Sequence, residues 1–225
     1  MILNQSNNQI PDDPREKYFD AYRVLVREAD LAFERVKEQY GDLVRCKQGC
    51  NDCCFAVFEM HPVEAVLIAR SFATLLKRKE RREIIRRAEK ARDRLRAMEE
   101  KFARESGTPE SQERMLAISR ERLECPLHFK GGCVLYGHRP ITCRVYGVPT
   151  AIRGKGATCG RSGFEPGARY PTVNLDIVDR RLQEISRAML AEVAGIDIED
   201  RRLLISMGEA LTEELDERYF RKRGV

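Results

Sequence analysis

The chain contains no tryptophan, and aromatic residues make up only 7% of it. Because β-sandwiches and barrels draw heavily on aromatic and β-branched side chains, this shortage argues against an all-β fold. Nowhere do roughly eighteen apolar residues stand together, which predicts that no segment spans a membrane. The first fifteen residues also lack the basic and apolar regions of a secretion signal. We therefore expect a cytosolic protein.

Several common catalytic and binding motifs are missing as well. The sequence has no dinucleotide-binding GxGxxG motif after a recognisable strand, no phosphate-binding P-loop and no HExxH zinc motif. Its only histidines, His61, His128 and His138, lie close in sequence to cysteines. A mixed Cys/His metal site is therefore one alternative, although eight cysteines supply enough ligands without any histidine.

What the chain does contain is charge and helical periodicity. Charged residues make up 34% and hydrophobic residues 42% of the 225 residues, which is enough apolar surface for one core. Apolar side chains recur at three- and four-residue spacing over long stretches, as on amphipathic helices. We expect a mainly α fold and a single domain over residues 1–225. Its predicted architecture is a helical body of about five or six helices with a loop-rich, metal-stabilised cysteine lobe.

Start and stop signals divide the chain into helices. Asp13 and Pro14 predict a helix start after a flexible N-terminus of residues 1–13, and Gly41 predicts the end of that helix. Pro62 predicts the start of a second helix. Further helices are expected at 77–105, 115–123, 175–193 and 200–219.

The positive charge is concentrated in one segment. Residues 77–96 hold eleven basic and four acidic side chains, a local charge of +7 that leaves −2 for the rest of a chain whose total is +5. We interpret this as the solvated face of a long basic helix at 77–105. Binding of an acidic partner or of nucleic acid phosphates is the alternative, but nucleic acid is not favoured because no aromatic residues interleave for base stacking.

Residues 125–171 differ in composition from the helical stretches. They hold nine of the fifteen glycines and five of the nine prolines, so no long helix is expected there. A loop segment of this length is unusual inside a compact domain unless something other than a large core holds it. A bound metal is the obvious stabiliser because the segment contains four cysteines.

The eight cysteines form two clusters, one at 46–54 and one within 125–171. In a reducing compartment cysteines are more often metal ligands or redox thiols than disulfides. Disulfide pairing is the alternative for an even number of cysteines. All eight are candidate metal ligands: Cys46, Cys50, Cys53, Cys54, Cys125, Cys133, Cys143 and Cys159.

Spacing within the first cluster carries most of the metal argument. Cys50 and Cys53 are separated by two residues, which lets two thiolates bind one ion from a tight turn. Cys46 lies four residues before Cys50 and falls on the same side if the turn is helical. Cys53 and Cys54 are adjacent, and neighbouring side chains usually diverge. We therefore expect one of them to point away from the first ion, towards a second site, a hydrogen-bonded thiol or the core.

The cysteine motifs resemble those of a known family. They read Cys46-x3-Cys50-x2-Cys53-Cys54, Cys125-Pro-Leu, Cys133-Val-Leu-Tyr136 and Arg139-Pro140-x2-Cys143-Arg144-x-Tyr146. This compound pattern, over about residues 46–159, is similar to that of the zinc- or iron-chelating CxxCxxCC family, the YkgJ-type cysteine-cluster proteins. The first spacing here is three residues instead of two. The resemblance implies metal binding by the cysteines and names no reaction or substrate.

Two arginines are expected to support the metal site. Four thiolates around Zn²⁺ or an oxidised four-iron cluster leave a charge of about −2, which nearby cations offset. We expect Arg139 and Arg144 to donate hydrogen bonds to the thiolates from outside the ligand set. The alternative for Arg139 is that it supports the turn before Pro140 and stays solvated.

Three functional hypotheses remain open at this point. The first is a metalloprotein with zinc or iron, most simply an iron site or a four-iron iron–sulfur cluster, that serves redox chemistry or metal handling. The second is a structural-zinc protein that binds a partner or nucleic acid through residues 77–96. The third is an enzyme that combines a metal with a free thiol, because four ligands leave four cysteines spare. No catalytic residue is assigned.

Overall fold

A computed structural model of the chain describes residues 13–106, 121–165, 167–198 and 202–224. Nearly all of the predicted flexible N-terminus and most of the predicted helix at 115–123 lie outside the described residues. The described part is mainly helical, with seven helices, five of them seven residues or longer, which confirms the predicted fold class. The helices are α1 (Glu16–Gln39), α2 (Pro62–Leu75), α3 (Arg78–Ser106), α4 (Ile141–Val145), α5 (Leu175–Ala194), α6 (Met207–Thr212) and α7 (Glu217–Gly224).

The strands are short and form three small sheets. One antiparallel pair joins the first and last strands, a hairpin joins the second and third, and the fourth lies between the antiparallel fifth and the parallel sixth. They are β1 (Glu59–Met60), β2 (His128–Phe129), β3 (Gly132–Cys133), β4 (Thr150–Ile152), β5 (Lys155–Ala157), β6 (Val173–Asn174) and β7 (Ile205–Ser206).

The long helices bury one face each, as their periodicity predicts. In α1 the buried side chains include Tyr22, Leu25, Ala29 and Val36, together with Phe19, which lies beside the predicted stripe. The helix packs against α2, α4 and α5, whereas α3 packs mainly against α6. The predicted basic helix at 77–105 agrees with α3 to within one residue at each end. The helices other than α4 form what we call the helical body.

Helix α5 follows its sequence signals closely. The Asn174 side chain accepts hydrogen bonds from the backbone N–H groups of Asp176 and Ile177, which caps the first turn. Gly195 ends the helix with a left-handed φ of 61°, a conformation that glycine adopts without a steric penalty. The prediction of a helix over 175–193 with a stop at Gly195 is therefore confirmed.

The prediction of one helix over 200–219 is wrong. Residues 199–201 lie outside the described part, and the remainder forms β7, α6 and α7. Ser206 and Glu209 make a reciprocal capping box, which starts a new helix at Met207. Glu213 then takes an extended conformation, and Asp216 accepts a hydrogen bond from the N–H of Tyr219 at the next helix start. Local capping thus outweighs the apolar periodicity.

We call residues 46–54 and 125–171 the cysteine lobe. The only α-helix in its described residues is the five-residue α4, which confirms that no long helix forms there. Its two hairpins turn at Lys130–Gly131 and Arg153–Gly154, and all four residues have positive φ. Two consecutive positive φ angles are typical of type I′ turns, which match the twist of paired strands.

The described residues of 125–171 take part in the apolar core of the helical body. Because α4 packs against α1, the apolar side chains of the lobe join the same buried cluster as those of the helical body. The lobe thus shares a core with the helices. Its buried members are Leu127, Phe129, Leu135, Ile141, Val145, Val148 and Phe164.

None of the helices in the described ranges combines the length and the apolar character that a membrane crossing requires.

Candidate metal centre

Backbone hydrogen bonds join the two cysteine clusters. The N–H of Cys125 donates to the carbonyl of Cys54 at 2.6 Å, and the N–H of Leu123 donates to the carbonyl of Phe55 at 3.2 Å. Ala56 and Arg122 form an isolated antiparallel bridge beside them. The segment after the first cluster is therefore paired with the segment before the second. Cysteines that are far apart in sequence become neighbours through this pairing.

A close backbone approach places Cys46 against the second cluster. Gly147 lies so near that a Cβ atom at this position would be 2.2 Å from the Cβ of Cys46 and 3.0 Å from its Sγ. Only glycine fits without displacement. The N–H of Gly163 also donates to the carbonyl of Leu43 at 2.8 Å. Two glycines of the second segment thus lie against Cys46 and against the chain just before the first cluster.

All eight cysteines are free thiols. Cys53 and Cys54 lie in a short 3₁₀ turn, Asp52–Phe55, and their surroundings differ. Cys54 is buried, with 6% of its surface exposed, and Cys53 faces a pocket. The pocket is lined by Arg45, Cys46, Cys50, Cys53, Tyr146, Gly147, Cys159, Arg161 and Ser162.

A second group of thiols lies behind this pocket. Cys54 and Cys143 each interact electrostatically with Cys125 and Cys133, and Cys125 also interacts with Cys133. The β2–β3 hairpin supplies Cys133, and α4 supplies Cys143. None of these four cysteines lines the pocket. Four of the eight thiols therefore border the pocket and the other four do not, and Cys53 of the pocket interacts with all four of the others.

Cys53 connects the two groups. The thiols of Cys143 and Cys54 donate hydrogen bonds to Cys53, and these bonds hold the pKa of Cys53 well below its ordinary value. The Arg139 guanidinium lowers that pKa further, although burial opposes it. The same hydrogen bonds raise the pKa of Cys54 and of Cys143, because ionisation of either thiol would remove the donated proton. Cys53 is thus the thiol that this environment favours as a thiolate.

Burial keeps most of the remaining thiols protonated in the absence of a metal. It raises the pKa of Cys125 to about 12 and is the main cause of the raised pKa of Cys133 and of Cys46. Cys50 and Cys53 add to the effect at Cys46, because nearby thiolates repel another negative charge. Ionisation of this set therefore needs a compensating cation.

Asp52 is a charged residue of the centre that the cysteine pattern does not reveal. Its side chain is buried, and its carboxylate accepts hydrogen bonds from Arg122 at 2.7 Å and from the Cys159 thiol at 3.3 Å. Arg161 lies 3.6 Å away. Burial raises the pKa of Asp52, but the Arg122 and Cys159 hydrogen bonds outweigh it and leave the pKa lowered. Its place just before Cys53 is the only sequence signal that marks it.

The Asp52 carboxylate influences the pKa of Cys159. Burial raises its pKa to about 11, and the hydrogen bond to Asp52 and the negative charge of Asp52 act in the same direction. The N–H of Arg161 points back to the Cys159 sulfur at 3.4 Å. The Cys159 thiol therefore stays protonated and donates its hydrogen bond to Asp52 as long as no cation takes the place of the proton.

The two predicted supporting arginines have different surroundings. The guanidinium of Arg139 stacks on the Tyr136 ring at 3.7 Å and donates to the Tyr136 carbonyl, and its charge lowers the pKa of Cys46, Cys53 and Cys133.

Arg144 donates to both carboxylate oxygens of Asp30 at 2.8 and 3.0 Å and to the carbonyls of Arg139 and Gly137. It ties α4 to α1. That Arg139 and Arg144 donate to thiolates stays a prediction.

Each histidine ring has a partner other than cysteine. His61 contacts Asp179 at 2.9 Å, His138 lies 3.3 Å from the Ser71 hydroxyl, and His128 contacts Glu124 at 2.8 Å. Sequence reasoning grouped the three because they lie near cysteines in the chain. In the structure they are used at helix and hairpin contacts around the lobe.

A buried carboxylate, which sequence reasoning missed, links the lobe to the helical body. Glu64 of α2 is buried and accepts hydrogen bonds from the Tyr22 hydroxyl at 3.2 Å and from the N–H of Ile141 at 3.0 Å. Burial raises its pKa, and the hydrogen bonds from Ile141, Tyr22 and the backbone of His61 oppose the rise. Glu64 therefore fixes the start of α4, the helix that carries Cys143.

The arrangement fits a soft metal in its donor chemistry. Thiolates are the preferred ligands of Zn²⁺ and of iron–sulfur clusters, and eight free thiols from both clusters are gathered in one lobe. Within the described ranges, no three Cys, His, Asp or Glu side chains converge as the ligands of one ion. For three or more of these sulfurs to bind one ion, cysteine side chains would have to rotate, which moves the sulfur atoms.

Comparisons of the chain with protein-family models, with curated proteins and with solved structures give no match.

Proposed function

We propose that the protein binds zinc or iron through its two cysteine clusters, most simply as an iron–sulfur cluster or an iron site with a redox or metal-handling role. The observation that carries the proposal is the gathering of eight free thiols from 46–54 and 125–171 into one lobe. The proposal includes a reducing, cytosolic environment, in which such thiols stay free.

Electrostatics support the proposal. Burial raises the pKa of Cys125 to about 12 and of Cys159 to about 11, so the ionisation of these half-buried thiols alone costs free energy. A bound cation removes that penalty by replacing the protons, as at other thiolate sites. Arg45 and Arg161 border the pocket, where they offset the negative charge of a thiolate-bound metal.

The resemblance of the cysteine motifs to the CxxCxxCC family gives independent support, and we propose that the chain belongs to it. Zinc held by four thiolates would stabilise the lobe without redox chemistry, whereas an iron–sulfur cluster would supply one-electron transfer. The residues of the chain hold the group, exclude part of the solvent and balance its charge.

Anaerobic purification followed by an absorption spectrum and by zinc and iron analysis tests this function. A brown protein that absorbs near 400 nm and contains iron is expected for an iron–sulfur centre. A colourless protein with bound zinc supports a structural site and removes the redox role. A chain with neither metal after reconstitution, and with all eight thiols open to alkylation, contradicts metal binding altogether.

A second candidate function is binding of nucleic acid or another polyanion through residues 77–96. Arg82, Arg86, Lys90 and Arg94 are exposed at four-residue spacing on α3, and no ion pair joins them to another residue of the described ranges. Other basic residues of α3 are used internally: Arg87 donates to the carbonyl of His128. Four free cations in a row along a helix favour contact with a line of phosphates.

Salt-dependent binding to a random oligonucleotide tests this candidate. The double variant Arg82→Gln/Arg86→Gln should weaken binding and reduce the slope of log K against log salt by about 2, near one unit per lost phosphate contact. Arg27→Gln/Arg35→Gln on α1 is the charge-matched control and should leave the slope unchanged. Equal losses in both variants, or no binding at low salt, exclude a specific role for α3.

A further inference from the structure

A second pocket lies in the helical body, and the described residues that line it lie outside the cysteine lobe. Its volume is about 180 Å³, and it is bordered by α2, α5, α7 and the residue just before α1. We call it the α5–α7 pocket. Most of its walls are apolar, with side chains from all three helices and from the segment before α7. The wall residues that matter below are Val66, Met189, Leu190, Val193, Leu215 and Phe220.

The walls of the α5–α7 pocket are held in place by the core and by polar contacts. Arg221 of α7 donates to the carbonyl of Ala194 at 3.2 Å, which ties α7 to the end of α5. Four of the wall residues are buried members of the apolar cluster: Val66, Met189, Leu190 and Phe220. The pocket is therefore formed before any ligand arrives, as is usual for small-molecule sites.

The volume of the pocket limits what it can hold. Sites for drug-sized ligands occupy about 300–1,000 Å³, so such a ligand is too large. An apolar cavity of about 150 Å³ in another protein binds benzene, because apolar walls offer water no hydrogen-bonding partners. We therefore expect the α5–α7 pocket to accept an apolar body of roughly six to eight non-hydrogen atoms.

Two charged residues that line the pocket have partners of opposite charge. Nε and Nη2 of Arg15 donate to the Asp13 carboxylate at 2.8 and 2.9 Å. Glu217 accepts from Nε of Arg221, four positions further along α7, at 2.7 Å. Because each pair is close to neutral, neither sets the charge of the molecule that the pocket prefers.

Asp216 also lines the pocket, and no ion pair joins it to another residue in the described part of the chain. Its Oδ1 accepts a hydrogen bond from the N–H of Tyr219 at 2.9 Å, whereas Oδ2 accepts none from the described residues. Asp216 is exposed, and it directly follows Leu215 of the apolar wall. A free carboxylate beside an apolar cavity complements a ligand that has an apolar body and a positively charged end.

We propose that the α5–α7 pocket binds a small hydrophobic cation, a primary amine on a short alkyl or aromatic group. The apolar group lies against the walls from α2, α5 and α7, and the ammonium lies at the carboxylate of Asp216. This site does not depend on metal binding by the cysteines, and it gives the helical body a ligand of its own.

Three probes of similar size test the proposal: benzylamine, benzyl alcohol and benzoate. They carry a positive charge, no charge and a negative charge beside the same ring. Titration of the full-length chain, followed by ligand-observed NMR, gives their dissociation constants. We expect benzylamine to bind most tightly and benzoate least, because Asp216 attracts the first and repels the last. Equal affinities, tighter binding of benzoate, or no saturable binding of any probe overturns the proposal.

Two variants separate the apolar and charged parts of the site. Val193 is 37% exposed, so Val193→Phe fills the pocket from its edge and should abolish binding of benzylamine and of benzyl alcohol. Asp216→Asn keeps the oxygen that caps α7 and should weaken benzylamine binding about threefold, with benzyl alcohol binding unchanged. Leu31→Phe is the matched control at an exposed position of α1 outside the lining, and it should change neither affinity.

Circular dichroism and sedimentation of each variant decide the remaining outcomes. If Val193→Phe unfolds the chain, Asp216→Asn decides alone, through the difference between its effects on benzylamine and on benzyl alcohol. If a folded Val193→Phe binds the probes as the wild type does, they bind elsewhere and the proposal is wrong. A wild-type dimer that Val193→Phe converts to a monomer also overturns it, because the pocket is then an interface between two copies of this chain.

Discussion

In α1, the buried side chains Tyr22, Leu25, Ala29 and Val36 recur at helical spacing, whereas the buried apolar residues of the cysteine lobe follow no period. Both sets belong to one apolar cluster. A helix satisfies its own backbone hydrogen bonds, so it needs only one apolar face to dock. The lobe has few regular backbone hydrogen bonds of its own, so individual tertiary contacts must fix its backbone. The helical body and the cysteine lobe thus share one core but differ in how their backbones are held in place.

The individual contacts of the lobe are of three kinds. Gly147 packs its backbone on Cys46, Glu64 receives the first N–H of α4, and Asp52 binds Arg122 and the Cys159 thiol. Each joins segments far apart in the chain. Because such contacts are few and specific, we expect the lobe to open locally before the helical body unfolds.

Under the proposed function, removal of the metal should separate the two regions most strongly. At a free metal concentration of about 1,000 times Kd, one bound ion stabilises the folded state by about 4 kcal/mol. After chelation we expect amide hydrogen exchange to accelerate in residues 125–165, while α5 keeps most of its protection because its capped ends and core contacts are unchanged.

The same exchange measurement can contradict the expected difference between the cysteine lobe and the helical body. Equal acceleration in α5 and in the lobe means that the two regions unfold as one unit. Unchanged exchange throughout, at full metal loss, means that the shared apolar core alone holds the lobe. A second sample with the metal restored serves as the control for irreversible thiol oxidation.

Replacement of the buried link between the regions should have the next largest effect. Glu64→Leu leaves the Tyr22 hydroxyl and the Ile141 N–H without their common acceptor, and we expect a loss of about 3 kcal/mol in the free energy of unfolding. Glu64→Gln keeps an acceptor oxygen and should lose much less. Urea denaturation of both variants measures the difference, and equal losses would show that side-chain shape matters there, not hydrogen bonding.

The same carboxyl gives a pH signature. Burial raises the pKa of Glu64 in the folded protein, so its contribution to stability is fully present below the unfolded pKa and is lost as the pH rises through the folded pKa. We expect Glu64→Gln to remove this loss, so that its free energy of unfolding varies less with pH across the carboxyl range than that of the wild type. Parallel pH profiles for the two proteins would contradict the assignment.

Sequence reasoning located the helices better than the site. Periodicity and the Gly195 stop gave α5 almost to the residue, because a helix depends on neighbours within four positions. The failure at 200–219 has the same origin, since a local capping box at Ser206 outweighs periodicity.

Other features of the site depend on tertiary contacts that no local pattern encodes. Nothing in the sequence shows that Gly147 lies against Cys46 or that Glu64 accepts the Ile141 N–H, because the partners are about 80 or more positions apart. The burial of the lobe's apolar residues in the shared cluster was missed for the same reason: these residues are scattered along the chain, and only the packing of α4 on α1 brings them there.

A substitution at the close approach tests the lobe with a smaller perturbation. Gly147→Ala places a methyl group 2.2 Å from the Cβ of Cys46, so the backbone must shift, at a cost of about 2 kcal/mol. We also expect weaker zinc binding, because Cys46 moves. Gly160→Ala is the matched control: its Cβ meets no atom within 4 Å, and its stability and zinc affinity should be unchanged. Equal behaviour of the two variants would remove the role given to Gly147.

The smallest effect on stability should come from a substitution at the start of α5, where the helical body meets the cysteine lobe. Asn174 pairs with Ala151 of the lobe through its backbone, but its side chain caps α5, so the two functions can be separated. Asn174→Ala should cost about 1 kcal/mol of unfolding free energy, and Asn174→Asp, which keeps an acceptor at the cap, should cost little. Zinc content should be the same in both, because the β4–β6 pairing needs no side chain. A lower zinc content in Asn174→Ala alone would mean that loss of the helix cap affects the thiols. The helical body and the cysteine lobe would then be one cooperative unit.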